Sequence, residues 1–374
     1  MKFSVSSATL LTHLQTVSRV INSKNTLPIL DNFLFDLQGD KLTITAADME
    51  TTLVTSVVVN NPEGSGIVAL SAKILLDTLK EFSDEPLEFH IDDDNYAMTI
   101  TSNANNGIYN FVGLNADEFP KMRDLEAENH SLEVPASVLG MGITSTIFAT
   151  SDDEMRPIMS GILFEVSPTN LTFVATDGYK LVRVKSSNVK CEENCSFVLP
   201  KKPISLLKAI LPKEAGNVLV KFDKKNVYFE LSNYKMVCRL IEGNYPDYNK
   251  VIPTDNPNKV TIDRSSFLNA LRRISVYASQ STSLVKLDLD EGHITCSAQD
   301  FDFSISANES LSCSYEGTPM SIGFKSSILI DMLNNLSSDN VLLELSNSVR
   351  QGLLSPLEQN ETEDVLMLLS PMQT

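Results

Sequence analysis

Hydrophobic and polar residues alternate at the start of the chain and then change to a helical spacing. Phe3 and Val5 are apolar between polar neighbours, which is the two-residue period of a strand with one buried face. Apolar residues then fall at Leu10, Leu14 and Val17, the spacing of one buried stripe on a helix. The pattern predicts a short strand followed by an amphipathic helix.

The same succession of strand and helix begins twice more. The strands are marked by Leu132 and Val134 and by Val260 and Ile262, and the helices by Leu139 and Ile143 and by Phe267, Leu271 and Ile274. A short sequence that ends in aspartate also recurs, at residues 42–48, 171–177 and 294–300. The spacings, 177 − 48 = 129 and 300 − 177 = 123, exceed the period of solenoid or propeller repeats, so each copy should have its own core.

A second apolar helical run follows several strands in each copy. These runs contain Ile74, Leu75, Leu79 and Phe82, then Ile204, Leu207 and Ile210, then Ile328, Leu329, Met332 and Leu336. Two helices against many strands predict an α+β fold made of three copies of a two-helix, multi-strand domain. Polar and Pro-rich stretches at 123–129 and 253–258 place the predicted domains at 1–126, 127–254 and 255–374.

Length and composition agree with several soluble domains. The 374 residues are 42% hydrophobic, enough for separate cores. The first residues lack the basic and apolar regions of a signal peptide, and no apolar run reaches membrane-spanning length. Five scattered cysteines form a poor disulfide framework, so we expect free thiols and a cytoplasmic protein without a membrane segment.

The charge balance is strongly acidic, with 48 Asp and Glu against 30 Lys and Arg and a formal net charge of −18. This balance disfavours a protein that grips nucleic acid tightly, because phosphate binding relies on concentrated Lys and Arg. Net charge describes the whole surface, however, and one inner face can still carry the basic groups.

Sequence motifs for catalysis or metal binding are missing. No phosphate-binding loop, zinc-protease helix or nucleophile elbow occurs, and the four histidines are dispersed. Cys191 and Cys195 form one close pair without a second, so no metal site is predicted. The acidic runs at 92–94 and 151–154 are typical of solvated loops, although such runs also bind divalent cations.

Two repeated polar positions have alternative interpretations. Asp48, Asp177 and Asp300 are interpreted as turn residues that cap backbone N–H groups, or as functional carboxylates. Asp300 and Asp302 would then share one face of a strand, with Phe301 on the other. Lys73, Lys202 and Lys325 lie near predicted helix starts, where a cation is unfavourable because it opposes the helix dipole. Either a nearby phosphate compensates for this cost, or the three residues are ordinary exposed lysines.

Along its whole length the chain resembles the bacterial DNA polymerase III beta subunit, the DNA sliding clamp. The matching segments are Met1-Lys2-Phe3, Thr26-Leu27-Pro28-Ile29-Leu30, Val174-Ala175-Thr176-Asp177-Gly178, Tyr245-Pro246-Asp247-Tyr248 with Val251 and Pro253, and Ser370-Pro371-Met372. The resemblance implies the DNA clamp fold in a head-to-tail homodimer, a six-domain ring with helices around the hole and sheets outside. Such a ring is a non-catalytic processivity factor without cofactors. Its implied partners are double-stranded DNA, the DNA polymerase III alpha subunit, the clamp loader, and other DNA polymerases and repair proteins that bind through short peptides.

The resemblance also implies three sets of site residues. Lys24 would contact DNA, with Lys73, Lys201 and Lys202 as companions. The dimer interface would place Tyr109 and Phe111 against Val276 and Tyr277 of the other copy. A peptide-binding pocket would be formed by Met159, Thr176, Gly178, Tyr179, Lys180, Leu181, Pro246, Lys250 and Val251, closed by Leu368, Leu369, Ser370, Pro371 and Met372.

The implied pocket departs from the common family pattern at three places. The family commonly has His-Arg where this chain has Tyr179-Lys180, and Arg in place of Lys250. The family's Met-Pro-Met-Arg-Leu ending is replaced by Ser370-Pro371-Met372-Gln373-Thr374. We therefore expect the pocket to be kept and its peptide preference to differ, while Leu181 and Leu368 could equally be plain core residues.

Two other classes of protein remain as alternatives. In the first, Asp48, Asp177 and Asp300 serve an enzyme that uses a metal, although equivalent residues in separate domains need not converge on one site. In the second, the tandem domains form a structural or adhesion protein, which the missing signal sequence disfavours. Closure of an oligomer into a ring distinguishes the clamp from an open rod of tandem domains.

Overall fold

The fold was analysed in a computed structural model that describes residues 1–104, 106–126, 129–189 and 194–373. The chain forms two compact units. The first contains residues 1–136 and 205–240, and the second contains residues 137–204 and 241–374. None of the helices in these described ranges is long and apolar enough to cross a membrane.

Six α-helices occur in the described part of the chain, two in each predicted copy. They are α1 (Ser7–Val17), α2 (Ala72–Lys80), α3 (Ala136–Thr146), α4 (Lys201–Ile210), α5 (Arg264–Ser275) and α6 (Ser326–Asn334). The predicted stripe of α1, formed by Leu10, Leu14 and Val17, is fully buried. Ile74 of α2 was placed in a buried run but is 44% exposed. It lies one position before Leu75, which faces the core, so the helical period turns Ile74 outward.

The strands of the predicted first copy are β1 (Lys2–Ser6), β2 (Asn32–Gln38), β3 (Lys41–Ala47), β4 (Thr51–Val58), β5 (Asn60–Glu63), β6 (Gly66–Ser71), β7 (Pro86–Ile91), β8 (Ala97–Ser102) and β9 (Gly107–Val112). Those of the second are β10 (His130–Pro135), β11 (Gly161–Val166), β12 (Leu171–Thr176), β13 (Lys180–Ser186), β14 (Cys195–Pro200), β15 (Asn217–Phe222), β16 (Asn226–Glu230) and β17 (Tyr234–Arg239). Those of the third are β18 (Asn258–Asp263), β19 (Leu284–Asp290), β20 (His293–Asp300), β21 (Ile305–Ser312), β22 (Ser314–Tyr315), β23 (Met320–Lys325), β24 (Asn340–Leu345), β25 (Gly352–Pro356) and β26 (Glu363–Leu369).

The first unit contains two antiparallel sheets. One has five strands in the order β5-β1-β7-β8-β9, and the other has eight in the order β10-β15-β16-β17-β4-β3-β2-β6. Helices α1 and α2 pack against each other, and α1 also packs on β4. In the larger sheet β17 of the second copy pairs with β4 of the first, so this sheet continues from one copy into the next.

The second unit repeats this arrangement with a sheet of nine strands and a sheet of four. Their orders are β14-β11-β12-β13-β26-β25-β24-β18-β22 and β21-β20-β19-β23. Helices α5 and α6 pack against each other. Strand β13 of the second copy pairs with β26 of the third, which again joins two copies through one sheet. The predicted α+β fold is confirmed, and the boundaries at 126 and 254 stay a prediction.

Two buried polar residues fasten the segments that were predicted to link the copies. Asp223 accepts hydrogen bonds from the backbone N–H groups of Glu126 (2.8 Å), Lys225 (2.7 Å) and Asn226 (2.7 Å). Asn256 donates to the carbonyl oxygens of Glu344 and Gln351, each at 3.1 Å. The linkers are therefore tied to neighbouring strands where they are described, whereas Ala127 and Glu128 lie outside the described residues.

Candidate functional site

The three repeated aspartates have the same local role. Each carboxylate caps the turn that follows its strand, as the turn interpretation predicted. The Oδ1 atoms accept from the N–H groups of Glu50 and Thr51 in the first copy (2.8 and 2.6 Å), of Tyr179 and Lys180 in the second (2.8 and 2.9 Å), and of Asp302 and Phe303 in the third (2.9 and 3.3 Å). A backbone role explains the repeat without any common chemical site.

The turn after Asp300 corrects the expectation that Asp300 and Asp302 share one face of a strand. Strand β20 ends at Asp300, which is buried, and residues 301–304 form a turn. Phe301 is 80% exposed at this turn. The alternation was misread because the hydrogen bonds of the Asp300 carboxylate end the extended backbone there.

The turn after Asp177 is held from both of its ends. Thr176 Oγ1 donates to the carbonyl oxygen of Lys180 (2.7 Å) and accepts from Gly178 N–H (3.1 Å). Lys180 Nζ forms an ion pair with Asp177 Oδ2 at 2.8 Å, in a partly buried setting. Gly178 has φ +92°, and a Cβ atom there would lie 2.9 Å from Arg156 Nη1. The turn is thus fixed, while its Tyr179 side chain remains 66% exposed.

An apolar cluster lies close to this turn, on β13, β26 and neighbouring strands of the nine-stranded sheet. Leu181 and Leu368 face each other across the two strands and are both buried. The cluster, which we call the β13–β26 cluster, comprises Leu163, Val174, Leu181, Val198, Tyr248, Leu353 and Leu368. Ile158, Ile241, Tyr245, Ile252 and Leu366 pack against it. Burial confirms that Leu181 and Leu368 belong to a core, and the same cluster forms the floor below the exposed turn.

More exposed side chains belong to the segments around the cluster. Val251 is 48% exposed, and its neighbour Ile252 packs on the cluster. Pro246 and Lys250 are exposed, and Lys250 Nζ pairs with Asp247 Oδ2 at 3.0 Å. Met159 is buried, and its Cε lies 3.9 Å from the position of a Cβ on Gly178. An apolar floor bordered by exposed apolar and cationic side chains is suited to a short peptide with an apolar end.

The C-terminal segment is attached to the same turn by its backbone. Ser370 N–H donates to the carbonyl oxygen of Tyr179 at 3.0 Å, immediately after Leu369, which is fully buried at the end of β26. Met372 N–H donates to the carbonyl oxygen of Gly323 at 2.8 Å. Pro371 and Met372 are half-buried, and Thr374 lies outside the described residues. Backbone hydrogen bonds thus hold the tail at Ser370 and at Met372.

Tyr248 connects the cluster to a polar cavity on the adjoining strands. Its hydroxyl donates to Glu165 Oε2 at 2.5 Å. Burial, together with the Glu165 carboxylate, raises the pKa of Tyr248 well above its ordinary value, so the hydroxyl remains a donor. The cavity has a volume of about 410 Å³ and is lined by Glu165, Thr172, Lys185 and Tyr248, among others. A buried and hydrogen-bonded Tyr248 is thus part of the floor of the candidate site.

Several residues of the site were not identified from the sequence. Leu163, Val174, Val198 and Leu353 belong to the floor but read as ordinary strand residues. Tyr245 and Tyr248 mark the resemblance to the family, and two tyrosines within two residues of Pro246 are a signal that could have indicated a site. The opposed positions of Leu181 and Leu368 depend on the pairing of β13 with β26, which a local pattern does not specify.

Three of the predicted DNA-contacting lysines lie at helix starts, and the fourth, Lys24, lies in a loop. Lys24 is exposed in the segment between α1 and β2, and Lys73 is exposed as the second residue of α2. Lys201 and the half-buried Lys202 begin α4. Lys24 and Lys73 belong to the first unit, and Lys201 and Lys202 to the second. Lys24 in the loop after α1, and Lys73, Lys201 and Lys202 at helix starts, are placed as predicted, and the contact of all four with DNA stays a prediction.

The acidic run at 151–154 is engaged by the protein's own cations. Lys201 Nζ lies 2.6 Å from Asp152 Oδ1, and this hydrogen bond and charge lower the pKa of the Asp152 carboxyl. Arg156 Nε lies 2.8 Å from Asp153 Oδ2 and lowers the pKa of Asp153 in the same way. Both pairs are solvent-accessible and contribute little to stability. These carboxylates serve local ion pairs, which agrees with the solvated-loop interpretation.

The predicted dimer residues lie on exposed parts of the two units. Tyr109 and Phe111 belong to β9, the last strand of the five-stranded sheet, and Tyr109 is 40% exposed. Val276 and Tyr277 follow α5 and are 73% and 40% exposed. Tyr109, Val276 and Tyr277 are exposed and Phe111 is half-buried, so an edge strand and a helix end carry accessible apolar surface, as an association surface requires.

Known proteins match this chain over nearly its whole length. Models of the N-terminal, central and C-terminal domains of the DNA polymerase III beta subunit match residues 1–123, 133–247 and 249–370. A beta sliding clamp of Synechococcus elongatus is 30% identical over 353 residues, covering 92% of this chain and 93% of that protein. A beta sliding clamp of Pseudomonas putida is 27% identical over 369 residues, covering 98% and 99%.

Solved structures show the same fold. The DNA polymerase III beta subunit of Pseudomonas aeruginosa has a TM-score of 0.92 and 25% identity, and the whole of each chain is covered. A sliding clamp from Bartonella birtlesii, solved with bound griselimycin, has a TM-score of 0.92 and 28% identity, again over both whole chains. Sequence and structure thus agree that this chain, with its three clamp domains, belongs to the DNA polymerase III beta subunit family, the non-catalytic DNA sliding clamps that give the polymerase its processivity.

Proposed function

We propose that two copies of this chain associate head to tail into a closed ring that encircles duplex DNA. Two observations support the proposal. Each described sheet that joins two copies does so through strand pairing, β4 with β17 and β13 with β26. In the described ranges, β9 of the first copy and β21 of the third are among the strands at sheet edges. Two unpaired edges at opposite ends of a series of joined copies carry the proposal, because pairing them between two chains closes the series.

A ring holds DNA by topology, so its direct contacts with DNA need only be weak. Lys24, Lys73, Lys201 and Lys202 are proposed to face the duplex and contact phosphate, largely through water. The ion pair between Lys201 and the accessible Asp152 is readily exchanged for a phosphate. A net charge of −18 is compatible with this role, since tight binding would hinder sliding.

The β13–β26 cluster and its rim are proposed to bind short peptides of proteins that act on the ring. The DNA polymerase III alpha subunit, the clamp loader, and other polymerases and repair proteins are the proposed partners. A peptide with Gln followed by a Leu-Phe-type end would lay its apolar pair on the floor near Leu181 and Leu368, beside Val251 and Tyr179. So small an interface gives weak, exchangeable binding, which lets several partners alternate on one ring.

Sedimentation and low-resolution imaging of the purified chain test the assembly directly. We expect particles with the mass of two chains and the outline of a closed ring with a central hole. A monomer at micromolar concentration, or an open rod, would contradict the proposal. The cytoplasmic location expected from the sequence stays a prediction.

A further inference from the structure

We propose a specific register for the pairing of the two copies, in which Ile305 of β21 lies directly opposite Phe111 of the partner copy's β9. Ala307 then lies opposite Tyr109 of that copy. This inference rests on the head-to-tail dimer proposed above and adds which residues meet. It follows from the two junctions between copies that exist within the chain.

The two internal junctions have the same register relative to the capped turns. In the first unit Thr51 of β4 lies opposite Cys238 of β17. In the second unit Lys180 of β13 lies opposite Leu369 of β26. Thr51 and Lys180 each begin a strand directly after a capped turn, and each pairs with the last strand of the following copy. Two independent junctions thus follow one rule: the first strand residue after the capped turn lies opposite an equivalent residue on the last strand of the next copy.

Phe111 is the counterpart of Cys238 and Leu369 on the last strand of its copy. In the first copy Phe111 pairs with Met98, and Met98 pairs with Ile91 on the next strand. In the second copy Cys238 pairs with Val227, and Val227 pairs with Phe222. In the third copy Leu369 pairs with Gly352. The inner strands pair with the first strands of their copies in matching positions, Phe3 with Phe89, Leu132 with Val220 and Val260 with Leu343. The rule therefore selects Phe111 on β9.

The residue selected on β21 depends on the length of the third turn. Ala47 lies opposite Thr52 and Thr176 opposite Leu181, a separation of 52 − 47 = 181 − 176 = 5 residues. The equivalent residue of the third copy, Gln299, lies opposite Ser306, a separation of 306 − 299 = 7. The third turn is two residues longer, so the counterpart of Thr51 and Lys180 is Ile305. Counting three residues from Asp300, as the sequence repeat alone invites, would select Phe303 instead.

The side chains that meet in this register suit an antiparallel pair. Strand β9, Gly107–Val112, contains no charged residue and no proline, the features that usually protect an edge strand from pairing. A β-branched Ile305 opposite an aromatic Phe111 is a favourable cross-strand pair. The small Ala307 leaves room for Tyr109, whose ring packs edge-on against Phe82 with centroids 5.3 Å apart.

Pairs of introduced cysteines distinguish this register from the one shifted by two residues. In a background with serine at Cys191, Cys195 and Cys313, the native Cys238 and Cys296 remain and are fully buried. Ile305→Cys is combined with Phe111→Cys or with Tyr109→Cys, and Phe111→Cys is also combined with Phe303→Cys. The fourth variant combines Ala307→Cys with Tyr109→Cys. Each variant is first confirmed as a dimer by sedimentation, then treated with diamide and resolved without reductant.

Directly opposed residues have the Cβ spacing that a disulfide needs, whereas residues two positions apart do not. We expect the Ile305/Phe111 and Ala307/Tyr109 variants to form linked dimers at least about tenfold faster than the Ile305/Tyr109 and Phe303/Phe111 variants. Faster linkage of the latter two variants, or dimers that link equally in all four, would overturn the register. A parent chain that sediments as a monomer would instead overturn the proposed dimer.

Discussion

Leu181 of β13 lies directly opposite Leu368 of β26, so residues far apart in the sequence form the floor of one candidate site. Both leucines are buried, whereas Tyr179 and Val251 are 66% and 48% exposed. A buried floor keeps the site in shape, and an exposed rim supplies apolar surface that a ligand can cover. This division determines which substitutions report on binding and which report on folding.

Substitutions on the rim should weaken peptide binding without unfolding the protein. We expect Tyr179→Ser and Val251→Ser each to raise the dissociation constant of a peptide with a Leu-Phe-type end roughly tenfold, because each removes contact area at the rim. A fluorescence titration measures this. Val349→Ser, at a position that is 73% exposed, is the control and should bind normally. Normal binding by both rim variants would place the partner site elsewhere.

Two truncations of the C-terminus should distinguish the role of the tail in peptide binding from the role of the buried leucines in stability. Removal of residues 370–374 deletes the hydrogen bonds to Tyr179 and Gly323 but leaves Leu368 and Leu369 in the ladder. We expect this variant to remain folded and to bind peptide more weakly. Removal of residues 368–374 also deletes two buried leucines and should lower the free energy of unfolding by several kcal/mol, at about 2–5 kcal/mol for each buried leucine. Circular dichroism melting compares the two; equal stability would contradict the assignment of these leucines to the core.

The repeat, the buried helix stripes and the fold class were predictable because they depend on the local spacing of hydrophobic and polar residues. Leu10, Leu14 and Val17 are buried by their spacing alone, and the aspartate of each repeat caps a turn by its own chemistry. Sheet pairing is different, since the partner of a strand depends on packing over the whole chain. The pairing of β13 with β26, and with it the floor of the site, therefore emerged only from the structure.

The turn after Asp300 is a second feature that the local sequence does not predict, because it is two residues longer than the turns after Asp48 and Asp177. The repeated motif places Asp300 with Asp48 and Asp177, and the capping hydrogen bonds agree. Nothing in the motif reports that β21 resumes pairing two residues later than β4 and β13 do. The length of a turn follows from where the ladder closes, which is a property of both strands.

Charges on the proposed dimer surface should separate the copies. We expect Phe111→Asp together with Val276→Asp to give monomers in sedimentation, because two carboxylates would be buried without partners. Val349→Asp is a matched control, since Val349 and Val276 are both 73% exposed. A dimer that persists unchanged in the double variant would refute the assignment of these residues to the interface.

Asp223 should stabilise the first linker in a pH-dependent way. Burial alone would raise the pKa of this carboxyl, but hydrogen bonds from the N–H groups of Glu126, Lys225 and Asn226 lower it below its ordinary value. A carboxylate with a depressed pKa stabilises the fold at pH values above its unfolded pKa of about 3.9, and this stabilisation is lost as the pH falls through the folded pKa.

We therefore expect Asp223→Asn to lower the free energy of unfolding by about 1–3 kcal/mol at pH 7. The difference from the parent chain should shrink as the pH falls from about 4 through the folded pKa of Asp223, below which both side chains are neutral. Urea titrations at several pH values measure the difference, and Asp40→Asn at an exposed turn is the control. A difference that is independent of pH would show that the charge of Asp223 is not responsible.

Retention on DNA shows directly whether this chain acts as a topological clamp. Loaded with a clamp loader onto nicked circular duplex DNA, the protein should co-elute with the DNA in gel filtration and should be released when a restriction enzyme opens the circle. Lys24→Ala should reduce loading or retention, whereas Lys41→Ala, at the exposed start of β3, should not. We expect release from free ends together with weak, steeply salt-dependent direct binding. Protein that stays bound after the circle is cut, without blocked ends, would contradict it.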